Sequence, residues 1–162
     1  MRGIIGVLVV ASLLGAGCSQ DGTSESAPEI GDSTAAQLQA RAFQRACLDM
    51  ICPGAPIYAP DSTPEAVRQA IVGQFTDEVQ YLSDAELEQL TAPDGRFSDS
   101  ATMIAVEGVR STGRDDVKSV NVGISKGYRD LTGRTYLFLW NDTEWVDTTP
   151  DAVNVTVTSS VS

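Results

Sequence analysis

Histidine is missing altogether from this 162-residue chain. Its absence removes the Ser-His-Asp and Cys-His catalytic arrangements and every metal site built on imidazole. Basic residues are scarce: eleven Lys and Arg stand against 22 Asp and Glu, giving a formal net charge of −11. A chain so acidic is repelled by nucleic-acid phosphates and by anionic lipid headgroups, so neither is an expected electrostatic partner. Cysteine occurs three times, with no CxxC pair and no zinc-ligand spacing. No apolar run reaches the roughly 20 residues a membrane-spanning helix needs. The acids around Asp94 and Asp99 lack calcium-loop spacing and read as a turn. No metal, no cofactor and no catalytic residue is expected.

What is present starts with a leader. Arg2 supplies a positive charge, Ile4 to Leu14 is an uncharged, mostly apolar run, and Leu13-Leu14-Gly15-Ala16-Gly17-Cys18 closes it. That order is the pattern of a secretory signal sequence. The last six residues resemble the lipobox of bacterial lipoproteins. The resemblance covers residues 1–18 alone and implies that the chain is cut before Cys18, whose thiol carries a diacylglyceryl group, with palmitate as a typical fatty acid. It departs from the family in one respect: Gly15 sits where leucine is most common, with Leu14 one step earlier. An ordinary signal peptide with an incidental cysteine is the other reading. Two acyl chains suffice for stable anchoring where one does not. The expected location is the extracytoplasmic face of a cell membrane, lipid-anchored.

Three segments follow: a signal peptide at 1–17, a lipidated cysteine with a flexible tether at 18–32, and one domain at 33–162. The tether is rich in Ser, Gly, Thr, Asp and Glu, and Ile30 is its only large apolar residue. It buries too little to offset its ordering entropy and would span about 20 Å if flexible. Cys47 and Cys52 then remain. In an exported chain a structural disulfide is the default, closing a small loop ahead of Pro53-Gly54.

Within the domain, apolar residues at Leu38, Ala42, Phe43, Ala46 and Cys47 predict a helix from about 33 to 50. Thr63 is a good N-cap for a second helix, with Pro64 at its first position and Ala66, Val67, Ala70 and Ile71 as its buried stripe. A short strand is expected over Phe75 to Leu82. Ser83 and Glu86 form a capping box for a third helix, with Leu82 and Leu87 as a hydrophobic staple. Strand-like runs follow at Met103–Val109, Val117–Tyr128 and Gly133–Asn141, then from Glu144, with a last alternating run at Val153–Val161. Leu137 and Leu139 lie opposite Tyr136 and Phe138, so the third run should be covered on both faces. Trp140 and Trp145 should face each other as a non-hydrogen-bonded cross-strand pair.

The expected class is α+β, with N-terminal helices packed on a curved antiparallel sheet of four to five strands. In element order it is similar to the cone-shaped fold of ketosteroid isomerase and its non-catalytic relatives. No sequence motif supports that likeness and no catalytic residue carries over. The adjacent acids Asp77-Glu78 and Asp115-Asp116 read as strand neighbours on opposite faces and as turn residues. The basic residues Arg110, Arg114, Lys118, Lys126, Arg129 and Arg134 fall at opposite ends of the meander and should not converge on one anion. Trp140 and Trp145 are candidates for packing or for stacking on a ligand.

These features predict a membrane-anchored, non-catalytic binding or interaction domain of the cell envelope. Its partners would be the bilayer, through Cys18, and an envelope protein, cell-wall component or small molecule. The alternative is an envelope enzyme or small-ligand carrier with a cavity between helices and sheet, using a carboxylate and Tyr81, Tyr128 or Tyr136.

Overall fold

A computed structural model of the chain describes residues 26–50, 54–127 and 131–150. In order its elements are α1 (Asp32–Met50), β1 (Ile57–Pro60), α2 (Glu65–Gln74), β2 (Val79–Leu82), α3 (Asp84–Gln89), β3 (Thr102–Val106), β4 (Arg110–Ser111), β5 (Val117–Ser125), β6 (Leu131–Trp140) and β7 (Trp145–Asp147). The fold is α+β, as expected. Its sheet runs β2-β1-β3-β5-β6-β7, with β4 paired to β5 off that path.

The sheet is mixed rather than antiparallel, and seven-stranded rather than four- or five-stranded. The parallel pairing comes from β1, which joins both β2 and β3, and β4 is a further short strand. Four residues flanked by proline carry little strand signal, and Pro60 inside the run argues against a strand at all. Yet Ile57, Tyr58 and Ala59 are buried between two neighbours. Parallel neighbours need a crossover connection, and α2 supplies it between β1 and β2.

The helix α1 lies across β3, β5 and β6. Its buried residues are mostly small, Ala36, Ala40, Ala42 and Ala46, so its backbone sits close to the sheet, with Leu38 and Phe43 as the large side chains. Below it, Val120, Val122 and Ile124 of β5 and Tyr136 and Phe138 of β6 are buried, as the alternation predicts. Polar residues of α1 fasten it at its edges. Gln39 Nε2 donates to the Glu107 carbonyl at 3.0 Å, Arg41 Nη1 to the Trp145 carbonyl at 2.7 Å, and Gln44 Nε2 to the Gln74 carbonyl at 3.1 Å. Ala27 and Ile30, expected in the free tether, are half-buried against this core. Ile30 was the one large apolar side chain of that segment, and burying it fixes the approach to α1.

A smaller core occupies the opposite sheet face, where Tyr58, Leu87, Phe97 and Ala101 are buried with Leu82, Leu90 and Met103 beside them. The Tyr58 and Phe97 rings meet edge-on, 5.7 Å apart at 88°. This core covers one end of the sheet only. On β6, Leu137 and Leu139 are half-buried, so the strand is flanked by β5 and β7 but is fully covered on one side only, contrary to expectation.

Local signals place α2 and α3 with unequal accuracy. Ser83 and Glu86 form the reciprocal capping box at α3. At α2 the cap position is Pro64, with no side-chain cap, and the helix starts at Glu65. Thr63 instead gives its carbonyl to Arg68 Nε at 2.8 Å. The strand expected from Phe75 begins only at Val79, because the Phe75 amide still closes α2 by donating to the Ile71 carbonyl. The run from Met103 breaks after Val106, where Glu107 pairs with Arg110 at 2.6 Å and the chain bends into β4. The strand expected at Val153–Val161 lies outside the described residues.

Candidate functional site

Three residues named from sequence have unequal outcomes. Cys18 and Cys52 lie outside the described residues. Cys47 is a free, buried thiol rather than half of a bridge. Its place on the inner face of α1 turns it into the core, at the edge of a hollow that Gly54 and Ala55 also line. Burial, then the negative charge of Asp77, pushes the thiol up to about 12.

Trp140 and Trp145 are opposite each other in register, with ring centroids 5.7 Å apart at 53°. The Trp140 amide donates to the Asp116 carbonyl on the β5 side, so the pair facing β7 is of the non-hydrogen-bonded kind. That orientation turns the Trp145 carbonyl outward, where Arg41 takes it. Both indole N–H groups are buried without an acceptor. The pair lines a hollow of about 200 Å³ with Leu38, Arg41 and Glu144.

The adjacent acids are not equivalent. Asp77 and Glu78 precede β2 in irregular chain, so strand alternation does not separate them, and both line a hollow of about 480 Å³ beside Cys47, Leu48 and Phe75. Asp116 is engaged by Arg114, at 2.5 Å and 3.0 Å, which holds its carboxyl below the usual range. Tyr81 carries the Arg68 guanidinium over its ring at 4.5 Å, and burial raises its hydroxyl. Tyr136 is fully buried, and Tyr128 lies outside the described residues. Phe43, Leu38, Tyr136 and Phe138, all fully buried, fill the space between α1 and the sheet.

A further hollow, of about 450 Å³, sits where β1 begins, where β5 ends and where the loop before β3 returns. Ala55, Phe97, Ala101 and Thr102 form its walls, and Arg96, Ser100 and Lys126 bring polar groups to it. Its frame is rigid for identifiable reasons. Phe97 is buried in the smaller core, and its amide donates to the Lys126 carbonyl at 3.2 Å. Arg96 bridges to Gly127, and Asp94 Oδ1 accepts the Arg96 amide at 3.0 Å. The Thr102 amide donates to the Pro56 carbonyl at 3.0 Å. Asp99 accepts both the Ala101 amide, at 3.1 Å, and the Tyr58 hydroxyl. Burial and that carboxylate push the Tyr58 hydroxyl up to about 12. Ser100 stands at φ 61°, a conformation that side chains other than glycine rarely adopt and that clusters at ligand sites.

Sequence reasoning missed this hollow because Arg96 and Lys126 are thirty residues apart and neither belongs to a motif. The Asp94-Gly95 turn was legible, but not that it folds back on the end of β5. Comparison with protein families, with curated proteins and with solved structures gives no match.

Proposed function

We propose that the protein is a lipid-anchored lipoprotein of the extracytoplasmic membrane face, whose folded body is a non-catalytic binding or interaction domain. The observation that carries this reading is the run Leu13-Leu14-Gly15-Ala16-Gly17-Cys18 after an apolar segment with one preceding arginine. Among the described residues Ala27 already packs on the core, nine positions after Cys18, a spacing that would hold the body close to the bilayer. No described helix is long and apolar enough to cross a membrane, so the acyl group would be the attachment.

The chemistry of the body favours binding over turnover. Among the described residues, the carboxyls with displaced acidity, Glu86 and Asp116, are held low by their partners, the reverse of what a general acid needs. Asp49, Asp99 and Asp116 are each engaged in structural contacts. The test is Cys18→Ala with palmitate labelling and membrane fractionation. Loss of label together with release from the membrane fraction supports the reading. A Cys18→Ala protein that stays in the membrane fraction would overturn the anchor.

A further inference from the structure

We infer that the hollow formed by Ala55, Arg96, Phe97, Ser100 and Lys126 binds a phosphate group carried by a small ligand. The inference deepens the reading of the body as a binding domain and is independent of the anchor.

The argument starts from the scarcity of positive charge. Nine of the chain's Lys and Arg residues fall within the described segments, and seven have defined work. Arg41 and Arg68 bind backbone carbonyls. Arg45 and Arg134 share Asp49. Arg110 pairs with Glu107, Arg114 with Asp116, and Lys118 donates to Ser111. The two left over are Arg96 and Lys126, and both line this one hollow. In a chain with twice as many acids as bases, chance would give exposed cations carboxylate neighbours. The carboxylates of the same loop are engaged by other groups: Asp94 accepts the Arg96 backbone amide, and Asp99 accepts Tyr58 and the Ala101 amide.

The two cations also stand on segments that are bonded to each other. The Phe97 amide to Lys126 carbonyl bond and the Arg96–Gly127 bridge lock their backbones side by side. Both side chains line the same hollow, so an anion seated in it can meet both. A guanidinium fork and an ammonium together suit a phosphate monoester, whose charge of about −1.5 to −2 and three acceptor oxygens can engage both, as a single carboxylate does less well. The volume is in the range of small-ligand pockets, and Phe97, Ala55 and Ala101 offer an apolar wall to the rest of the ligand. Ala55 is shared with the hollow that holds Asp77 and Glu78. Those carboxylates, and the acidic body as a whole, select for one compact phosphate over a polyanion.

The test is calorimetric titration of the full-chain protein in neutral detergent with glycerol 1-phosphate, glycerol being the control. A parallel arm uses dihexanoyl phosphatidic acid against dihexanoyl phosphatidylcholine. Saturable binding in the first arm identifies a soluble phosphate ligand, and binding in the second arm alone identifies a lipid headgroup. In either case Arg96→Gln and Lys126→Gln should each weaken binding at least about tenfold. Arg110→Gln, which removes an exposed but paired cation, should leave it unchanged. Both site variants should fold with a melting temperature close to that of the wild type, because neither side chain is tied into the hydrogen-bond or ion-pair network of the described residues. No saturable binding in either arm, or an equal loss in Arg110→Gln, overturns the site. If binding fails while Cys18→Ala still releases the protein from membranes, the site alone is lost and the anchor stands.

Discussion

Asp49 Oδ2 and Arg134 Nη1 lie 2.6 Å apart, joining the last turn of α1 to β6 beneath it. Arg134 is only 9% exposed, and its guanidinium stands 5.4 Å from the Tyr136 ring centroid. Arg45 Nε reaches the other carboxylate oxygen of Asp49 at 3.3 Å. A charge taken this far from water depends on its partner. Asp49→Ala should therefore cost about 3–5 kcal/mol, because it leaves Arg134 buried and uncompensated. Removing both charges, as Asp49→Leu with Arg134→Met, should cost much less than the single change, since no ion is then stranded. Urea unfolding of the three proteins reads the difference. A double variant weaker than Asp49→Ala would mean that the pair itself, rather than the stranded arginine, supplies the stability.

Gly127 makes the opposite kind of contact, one in which an absent side chain matters. A Cβ built there would stand 2.1 Å from the Gly95 carbonyl oxygen and 2.4 Å from the Arg96 Cα, both backbone atoms with little room to give. Gly127→Ala should destabilise the protein by roughly 3 kcal/mol and push the Asp94–Phe97 turn off the end of β5. Gly133, on β6, is the control: nothing lies within 4 Å of its Cβ position. Gly133→Ala should change stability by less than about 1 kcal/mol. Thermal unfolding distinguishes them, and equal effects at the two positions would contradict the close approach.

The capping box of α3 ties stability to pH. The Glu86 carboxylate accepts the Ser83 amide at 2.8 Å and the Ser83 hydroxyl at 2.7 Å, and these bonds hold its pKa below the ordinary 4.5. A carboxyl with a lowered folded-state pKa adds stability above its unfolded pKa, and that stability is lost as pH falls through the folded value. The penalty for Glu86→Ala should therefore be largest at neutral pH and fade below about pH 4.5. Ser83→Ala, which removes the cap itself, should cost about 1 kcal/mol at pH 7. A Glu86→Ala penalty that is the same at pH 7 and pH 3 would rule out the charged form as its source.

The same box shows what a sequence can announce. Ser83-x-x-Glu86 flanked by Leu82 and Leu87 is a local pattern with a local cause, and it appears where expected. So does the Trp140–Trp145 pair, because a four-residue loop fixes its register. The buried faces of α1, β5 and β6 follow from period alone. What stayed illegible is what the tertiary fold decides. Ile57–Pro60 is a strand because two distant segments sandwich it, not because its residues favour one. Cys47 is a free thiol buried on the inner face of α1, and spacing to Cys52 carries no sign of which face it takes. Arg96 and Lys126 reach one hollow only because Phe97 is drawn into the smaller core and carries the loop back against β5. A site assembled by a returning loop leaves no spacing in the chain.

Cys47 offers a check on its own burial from the alkaline side. Its thiol sits near 9 in the reference state and is pushed up to about 12 in the folded protein, by burial first and by Asp77 second. The folded form therefore keeps a proton that the unfolded chain loses. Stability from this residue is fully present below about pH 9 and drains away between about 9 and about 12, at no more than about 1.4 kcal/mol per pH unit. Tyr58, raised from 10 to about 12, steepens the same limb. Cys47→Ala removes one contribution and leaves the other. Whatever packing Cys47→Ala costs at pH 7, the gap between wild type and variant should narrow as pH rises past 9. In the same window native Cys47 should resist iodoacetamide that labels it rapidly in urea, since the thiolate is the reacting species. Two parallel stability curves, or ready labelling of the folded protein at Cys47 as mapped by mass spectrometry, would place the thiol at the surface.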